Sequence, residues 1–372
     1  VKGIRVIRTY SLLQKVRMSF VEKLRSYAHS NSEYMKKVLL YQPLNTVSVA
    51  VSYTIAVAYG FYLINHGSMT LGELIAVCVV IGMLQWPYIA LSELVVMIIE
   101  VRQATKRLLE ISDKKAAVNN DKASYNFDFK ESVEFKDFNF SYDGNNKVLK
   151  NINFKISRGE TVGIVGKTGC GKTTLIKQLL RLYPVTEETL LLDGHSVEQY
   201  YDYSIRDKMG YAPQEYQLFS KTIKENILFY RENLEDNLDK VLELSDIKKD
   251  IEGFVDGLNT LVGENGLSLS GGQKQRLGIA RALLANPDIL ILDDSLSAVD
   301  ANTEKTIIEN IKKTREGKTN IIVSHRISAV RHADKIIVVE NGEVLNVGTH
   351  DELLKNCGWY RELDAYQNKE VE

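Results

Sequence analysis

Nine residues, Gly166–Thr174, read GKTGCGKTT. They match G-x-x-x-x-G-K-[ST], with Gly166, Gly171, Lys172 and Thr173 at the fixed places. The run TVGIVG ahead of them predicts a strand, and TTLIKQLLRLY behind them predicts a helix. In that setting glycines let backbone N–H groups curl around phosphate oxygens, and the helix start adds partial positive charge. Lys172 is then placed for terminal phosphates, and the Thr173 hydroxyl for Mg²⁺. Thr168, Gly169, Cys170 and Thr174 complete the expected nucleotide-binding loop. A thiol at a helix start can be acidic and reactive. Cys170 is read as a small residue that fits and as a chemical handle that ATP would shield.

A second stretch, ILILDDSLSAVD, runs from Ile289 to Asp300. Its apolar part predicts a buried strand that delivers Asp293 to its tip, where a carboxylate can hold Mg²⁺ directly or through water. Asp294 raises a different question, because phosphoryl transfer to water needs a group that positions the water. A third stretch, LSGGQ at 269–273, places Ser270, Gly271, Gly272 and Gln273 at another helix start suited to phosphate. One chain with two such starts is puzzling until two copies or two related chains are paired.

These residues need an α/β frame. VEFKDFNFSY, KISRGETVGIVG, TLLLDG, DILILDD, NIIVSH and KIIVVENGEVLNVGTH are the expected strands, with helical stretches between them. Alternation of this kind implies a largely parallel sheet. The frame begins at 133 and runs to 372. Residues 111–132 are polar, lack apolar periodicity and read as a linker.

Before residue 100 the texture is different. Residues 44–64 contain no charge, and residues 74–99 form a second apolar run interrupted by Gln85, Pro87 and Glu93. Each is long enough to cross a bilayer. Nine Lys and Arg residues between Lys2 and Lys37 precede the first span, the turn between the spans has none, and Arg102, Lys106 and Arg107 follow the second. The basic residues put both ends of this membrane hairpin in the cytoplasm. Residues 1–43 read as a charged helix leaving the membrane. Glu93 reads as a water-facing carboxylate near the cytoplasmic side.

The whole chain of 372 residues carries 47 basic and 48 acidic side chains, for a net charge of −1. That balance excludes a general nucleic-acid binder. Cys78, Cys170 and Cys357 are too dispersed for a disulfide framework or a metal site.

Taken together, GKTGCGKTT, LSGGQ and ILILDD in this order resemble the ATP-binding cassette proteins. The resemblance implies further roles. Tyr142 in FSYDG is similar to the aromatic that stacks on adenine. Gln214 in YAPQEYQLF is similar to the glutamine that contacts Mg²⁺ and water. Glu264 in VGENG falls where exporters keep a glutamate facing the transmembrane helices. Ser297–Asp300 resembles the loop that signals between sites, and His325 in IIVSHR resembles the histidine that touches the γ-phosphate. VKGIRVIRTYS and the two spans resemble the last two of six helices in exporter half-transporters. The expected fold is therefore a membrane α-helical hairpin over 1–110, followed by an α/β nucleotide-binding domain with a β subdomain and a helical signature subdomain. The expected partners are a second half-transporter, the lipid bilayer and a small amphipathic or hydrophobic substrate, with ATP and Mg²⁺ as cofactors.

Hydrolysing relatives carry glutamate where this chain has Asp294. One methylene less withdraws the carboxylate by about 1.5 Å, and a base must lie within about 3 Å of its proton. The pattern resembles one half of heterodimeric bacterial multidrug exporters, whose own ATP site is slow. An ATP-gated regulatory or channel-like protein, or an exporter of peptide or lipid, shares the same motifs. A soluble DNA-repair ATPase does not fit, because 175–268 is too short for a coiled coil and the hairpin is apolar.

Overall fold

The computed structural model describes residues 4–114, 116–263 and 269–369, and divides into two units, Val1–Lys115 and Ala116–Glu372.

The first unit is helical: α1 (Ile4–Thr9), α2 (Leu13–Asn65) and α3 (Leu71–Ser112). Helix α2 is 53 residues long, about 80 Å at 1.5 Å per residue. The expected charged helix over 1–43 is broken at residues 10–12, where Ser11 takes φ +54°, and from Leu13 onward it is continuous with the first apolar span. A window of α2, Thr46–Asn65, has mean hydropathy 1.7, and α3 reaches 2.1. Their apolar side chains face outward: Ile55 is 63 % exposed, Met83 70 % and Trp86 77 %. A soluble protein does not leave so much apolar surface uncovered, whereas a bilayer would cover it. The turn between the helices ends in a reciprocal cap. The Thr70 hydroxyl accepts from the Glu73 amide, and the Glu73 carboxylate accepts from the Thr70 amide. Such a box fixes where α3 starts. Pro87 lies inside α3 without ending it.

The second unit contains two sheets. The strands are β1 (Ser132–Ser141), β2 (Lys147–Ser157), β3 (Thr161–Val165), β4 (Leu190–Leu192), β5 (His195–Ser196), β6 (Met209–Ala212), β7 (Ile289–Asp293), β8 (Thr319–Ser324), β9 (Lys335–Glu340) and β10 (Glu343–Gly348). An antiparallel sheet has the order β2-β1-β4-β5. A six-stranded sheet has the order β10-β9-β3-β8-β7-β6, parallel except for β10. The helices are α4 (Lys172–Leu179), α5 (Asp202–Asp207), α6 (Ile223–Leu228), α7 (Leu238–Leu244), α8 (Lys248–Glu252), α9 (Gly271–Leu283), α10 (Ala301–Thr314), α11 (Ile327–Val330), α12 (His350–Asn356) and α13 (Gly358–Lys369).

Strands β7 and β8 are buried along their whole length, as an apolar run covered on both faces requires. One core joins the antiparallel sheet to one face of the parallel sheet through Phe135, Phe138, Ile152, Ile164 and Leu175. The other packs α6, α7 and α9 against the opposite face through Ile227, Val241, Leu277, Leu290 and Leu292.

Several expectations need correction. The run KIIVVENGEVLNVGTH is two antiparallel strands, β9 and β10, because Asn341 at φ +49° and Gly342 at φ +83° turn the chain between them. The run KISRGETVGIVG is two strands, not one, because Gly159 turns the chain at φ +83° between β2 and β3. Strand β6 was absent from the expected set, since only four residues, MGYA, form it. The segment 111–132 is not a free linker throughout. Its start is the end of α3, and its second half is laid onto the α/β unit. Phe127 and Phe129 are each 2 % exposed, the Ser124 and Tyr125 amides donate to the Gln199 carbonyl, and the Asp193 carboxylate accepts from the amides of Lys130, Glu131 and Ser132. The alternation in Tyr125-Asn126-Phe127-Asp128-Phe129 is a strand-like signal that a polar average hides.

Candidate phosphate-binding site

Four adjacent parallel strands, β3, β8, β7 and β6, end side by side. Val165 is level with Ser324, Val323 with Asp293, and Leu292 with Ala212. Each strand therefore hands its next residues to the same place: β3 the glycine-rich loop, β8 His325, β7 Asp293 and Asp294, and β6 Gln214. Ligands of open α/β sheets bind at this carboxyl edge.

Thr168, Gly169, Gly171, Lys172, Thr173, Thr174, Gln214, Asp293, Asp294 and His325 line one cavity of about 160 Å³, with Val148 at its rim. That volume suits phosphate groups and is too small for a whole nucleotide. The Lys172 ammonium curls back to donate to the carbonyls of Gly166, at 2.7 Å, and Lys167, at 3.0 Å. Among the described residues it has no carboxylate partner, so its charge is available to an anion. Gly171, immediately before α4, takes φ +107°, and a Cβ there would stand 2.8 Å from the Leu149 side chain. Only glycine meets both demands.

Asp293 is fully buried. Its two oxygens accept from Thr173 Oγ1 at 3.1 Å and Tyr211 OH at 3.2 Å. Burial raises its pKa, and the Thr173 and Tyr211 hydrogen bonds oppose that shift. A buried carboxylate beside a threonine hydroxyl is a fitting donor pair for Mg²⁺, which takes one or two carboxylates and completes its shell with phosphate and water. Burial, helped by the Asp293 charge, also pushes the Tyr211 phenol up, which keeps it a neutral donor.

Asp294 takes φ +51° directly after β7, a left-handed conformation that Asp tolerates better than most residues. The turn brings Asp294 Oδ1 to 2.9 Å from His325 Nδ1 and Oδ2 to 3.4 Å from Gln214 Nε2. The three polar groups form a chain across the cavity mouth, and both carboxylate oxygens are engaged.

Other expected residues lie apart from this cavity. The Tyr142 ring is 48 % exposed; its hydroxyl is 3.1 Å from Thr174 Oγ1, and it meets Phe140 and Tyr183 edge-on. The Cys170 thiol does not face the phosphate cavity. It is 7 % exposed, belongs to the apolar core and lies 3.8 Å from Lys172 Nζ. That burial favours the reading of Cys170 as a small residue that fits over that of a chemical handle. Glu264 lies outside the described residues.

Ser270, Gly271, Gly272 and Gln273 do not line the cavity. Ser270 caps α9 in a reciprocal box with Gln273, and Gln273 also donates to Asp250 Oδ1 at 2.9 Å. From the next turn Gln275 reaches the SAVD loop, donating to Ser297 Oγ at 3.0 Å and accepting from the Ala298 amide at 2.8 Å. Gly278 leaves a notch that the Tyr216 ring fills; a Cβ at 278 would fall 1.6 Å from Tyr216 Cε1.

Sequence reasoning missed Tyr211, Gln275, Tyr216 and Arg326. The Arg326 guanidinium donates to Glu304 Oε2 and to the Ser297 carbonyl, both at 3.2 Å. Tyr211 carried a usable signal, being three residues before Gln214 on an expected path to the site. The others are set by packing between distant segments.

Comparison with known proteins agrees with this geometry. The ABC transporter family profile matches residues 149–297, and the ABC transporter transmembrane region profile matches residues 1–88. The chain is 42 % identical over 364 residues to a Bacillus subtilis (strain 168) protein named "Probable multidrug resistance ABC transporter ATP-binding/permease protein YheI". That match covers 97 % of this chain and 62 % of the relative. It is 37 % identical over 383 residues to the multidrug resistance-like ATP-binding protein MdlA of Buchnera aphidicola, covering 100 % of this chain and 64 % of the relative. The chain thus spans less than two thirds of the length of these relatives. A solved bacterial Atm1-family ABC exporter with ATP bound superposes with TM-score 0.89 at 29 % identity, over 98 % of this chain and 65 % of that one.

Proposed function

The chain belongs to the ABC transporter family, with a transmembrane region ahead of an ATP-binding domain, and from that premise we propose that it is one half of an ATP-driven exporter. Its hairpin sits in the cell membrane and its α/β unit in the cytoplasm. The carrying observation is the separation of the two phosphate-suited helix starts. Lys172 and the glycine loop share a cavity with Asp293, Gln214 and His325, while Ser270–Gln273 lie outside it. The second start serves a nucleotide only if another half-transporter supplies that nucleotide's own loop.

Within the site, the loop amides and Lys172 hold the phosphates, and Tyr142 offers an aromatic surface to the adenine. Thr173, Asp293 and Gln214 would hold Mg²⁺, which neutralises charge developing in phosphoryl transfer. His325 reaches toward the γ-phosphate end. Asp294 is the weak element. It is short, and its oxygens are taken by His325 and Gln214, so it is a poor acceptor for a proton from water. The partner is expected to carry the longer carboxylate, which makes the transporter a heterodimer with one slow and one fast site. Misplacing a base forfeits much of the 10²–10⁴-fold that acid–base catalysis contributes, about 3–5 kcal/mol of barrier. The transported substrate class is drug-like, small and amphipathic or hydrophobic, by analogy with the multidrug names of the relatives.

The test is ATP turnover in the full-length transporter with its partner. Asp294→Asn, which keeps shape and tolerates the left-handed backbone, should lower turnover less than about threefold, whereas removing the partner's equivalent glutamate should lower it by about 100-fold or more. Loss of turnover in Asp294→Asn alone, with ATP still bound, would overturn the slow-site reading. A homodimer would overturn the pairing.

A further inference from the structure

We propose that Gln367, on the C-terminal helix α13, is a positioning residue for His325. The inference rests on the reading of His325 as a phosphate contact, and it concerns what holds that residue in place. The Gln367 side-chain amide grips the backbone on either side of Arg326. Its Nε2 donates to the His325 carbonyl at 2.8 Å, and its Oε1 accepts from the Ile327 amide at 2.8 Å. One planar amide thus takes the place of a paired peptide group across a short extended segment, in which Arg326 has φ −100° and ψ 129°.

Both bonds answer a need of the local chain. The Ile327 amide is the first N–H of α11, a donor with no partner inside its own helix. Arg326 stands at the capping position and supplies no side-chain cap. Its guanidinium is drawn instead to Glu304 and Ser297. The His325 imidazole is 46 % exposed, and Asp294 is the side-chain contact that holds it. The ring's location therefore depends on where its backbone is held, and Gln367 holds that backbone at both His325 and Ile327.

The clamp is itself fixed. Tyr360, seven residues earlier and so on the same helical face, is fully buried, and its hydroxyl lies 2.8 Å from His350 Nδ1. Trp359 and Leu363 pack on the same core. The last helix of the described chain thereby reaches the nucleotide cavity without lining it.

The experiment uses the full chain and Gln367→Met, which keeps length and volume but removes both hydrogen bonds. Two quantities are read: the ratio of ATP to ADP affinity by calorimetry, and the His325 imidazole signal by NMR of histidine-labelled protein, assigned with His325→Ala. Gln367→Met should lower the ATP-over-ADP preference by about 3- to 10-fold and should shift or broaden the His325 signal while leaving His195 unchanged. In a His325→Ala background it should lower the preference no further, since the two act as a unit. An unmoved His325 signal in Gln367→Met overturns the inference. If His325→Ala itself leaves the preference intact, the phosphate role of His325 falls. The positioning role is then judged by the NMR signal alone, which supports it if it moves.

Discussion

Helices α4 and α9 both start at glycines in motifs suited to phosphate, yet their first turns are finished differently. At α4 the residue before the helix is Gly171, in a left-handed conformation, with no side chain to cap the first amides. Those amides open on the cavity that holds Lys172, Asp293 and His325. At α9 the Ser270 hydroxyl and the Gln273 carboxamide cap one another's backbone, and Gln273 is further tied to Asp250. The first terminus is left for a ligand. The second is closed by its own side chains, so an arriving phosphate trades places with bonds that already exist. The lesson is that one sequence signal, glycine at a helix start, yields two kinds of anion site according to the residue that precedes it.

The comparison breaks first at Lys172. Lys172→Ala should weaken Mg-ATP binding to the full chain by about 10- to 150-fold, for a charge-assisted contact of about 1.5–3 kcal/mol; calorimetry checks it, and unchanged affinity would remove α4 from the site. A second effect sharpens the picture of α4. Its Gln178 is fully buried, with neither side-chain polar atom paired among the described residues. Gln178→Leu should raise stability by about 1–3 kcal/mol, visible as a higher midpoint in denaturant, with nucleotide affinity unchanged. At α9, Ser270→Ala should cost about 0.5–2 kcal/mol of stability and leave ATP affinity of the unpaired chain within twofold. A large affinity loss there would mean the two termini share one ligand site within a single chain.

The smallest effect concerns pH. Burial raises the Asp293 pKa above its unfolded value, so the folded chain holds that proton more tightly. The resulting stabilisation is present at low pH and is lost as pH rises through the folded pKa. Asp293→Asn should therefore raise the Tm of the nucleotide-free chain at neutral pH, and the gain should shrink on acidification. A gain independent of pH would mean that Asp293 is not a buried charge in the free chain.

Much of the site is legible in the sequence because its parts are delivered by strand ends. Asp293 follows four apolar residues, His325 follows IIVS, and the glycine loop follows TVGIV, so a strand prediction places each at the same sheet edge. Where the side chains then turn is not legible. Nothing in ILILDD says that Asp294 adopts φ +51° and meets His325, because that depends on the neighbouring strand's end. Cys170 shows the same limit: its position in the loop was visible, its burial against the core was not. The hairpin was legible in part. Its composition revealed the apolar spans, while the fusion of residues 13–43 and the first span into a single 53-residue helix was not legible, because Pro43 at their junction is a residue that usually ends or kinks a helix. The polar stretch before β1 hid Phe127 and Phe129 because an average over twenty residues outweighs two buried rings.

Tyr216, set in the notch at Gly278, has a further meaning. It lies two residues beyond Gln214, so the loop that meets the phosphate cavity is keyed into α9 like a tooth in a gear. Rotating that loop in either direction presses an aromatic ring against the helix that carries Gln275, and through Gln275 against the SAVD loop. Backlash between the two is limited to the slack around one ring. Widening the notch is impossible, since residue 278 is already glycine, and filling it would disengage the tooth. A side chain at 278 would therefore part the loop that carries Gln214 from α9.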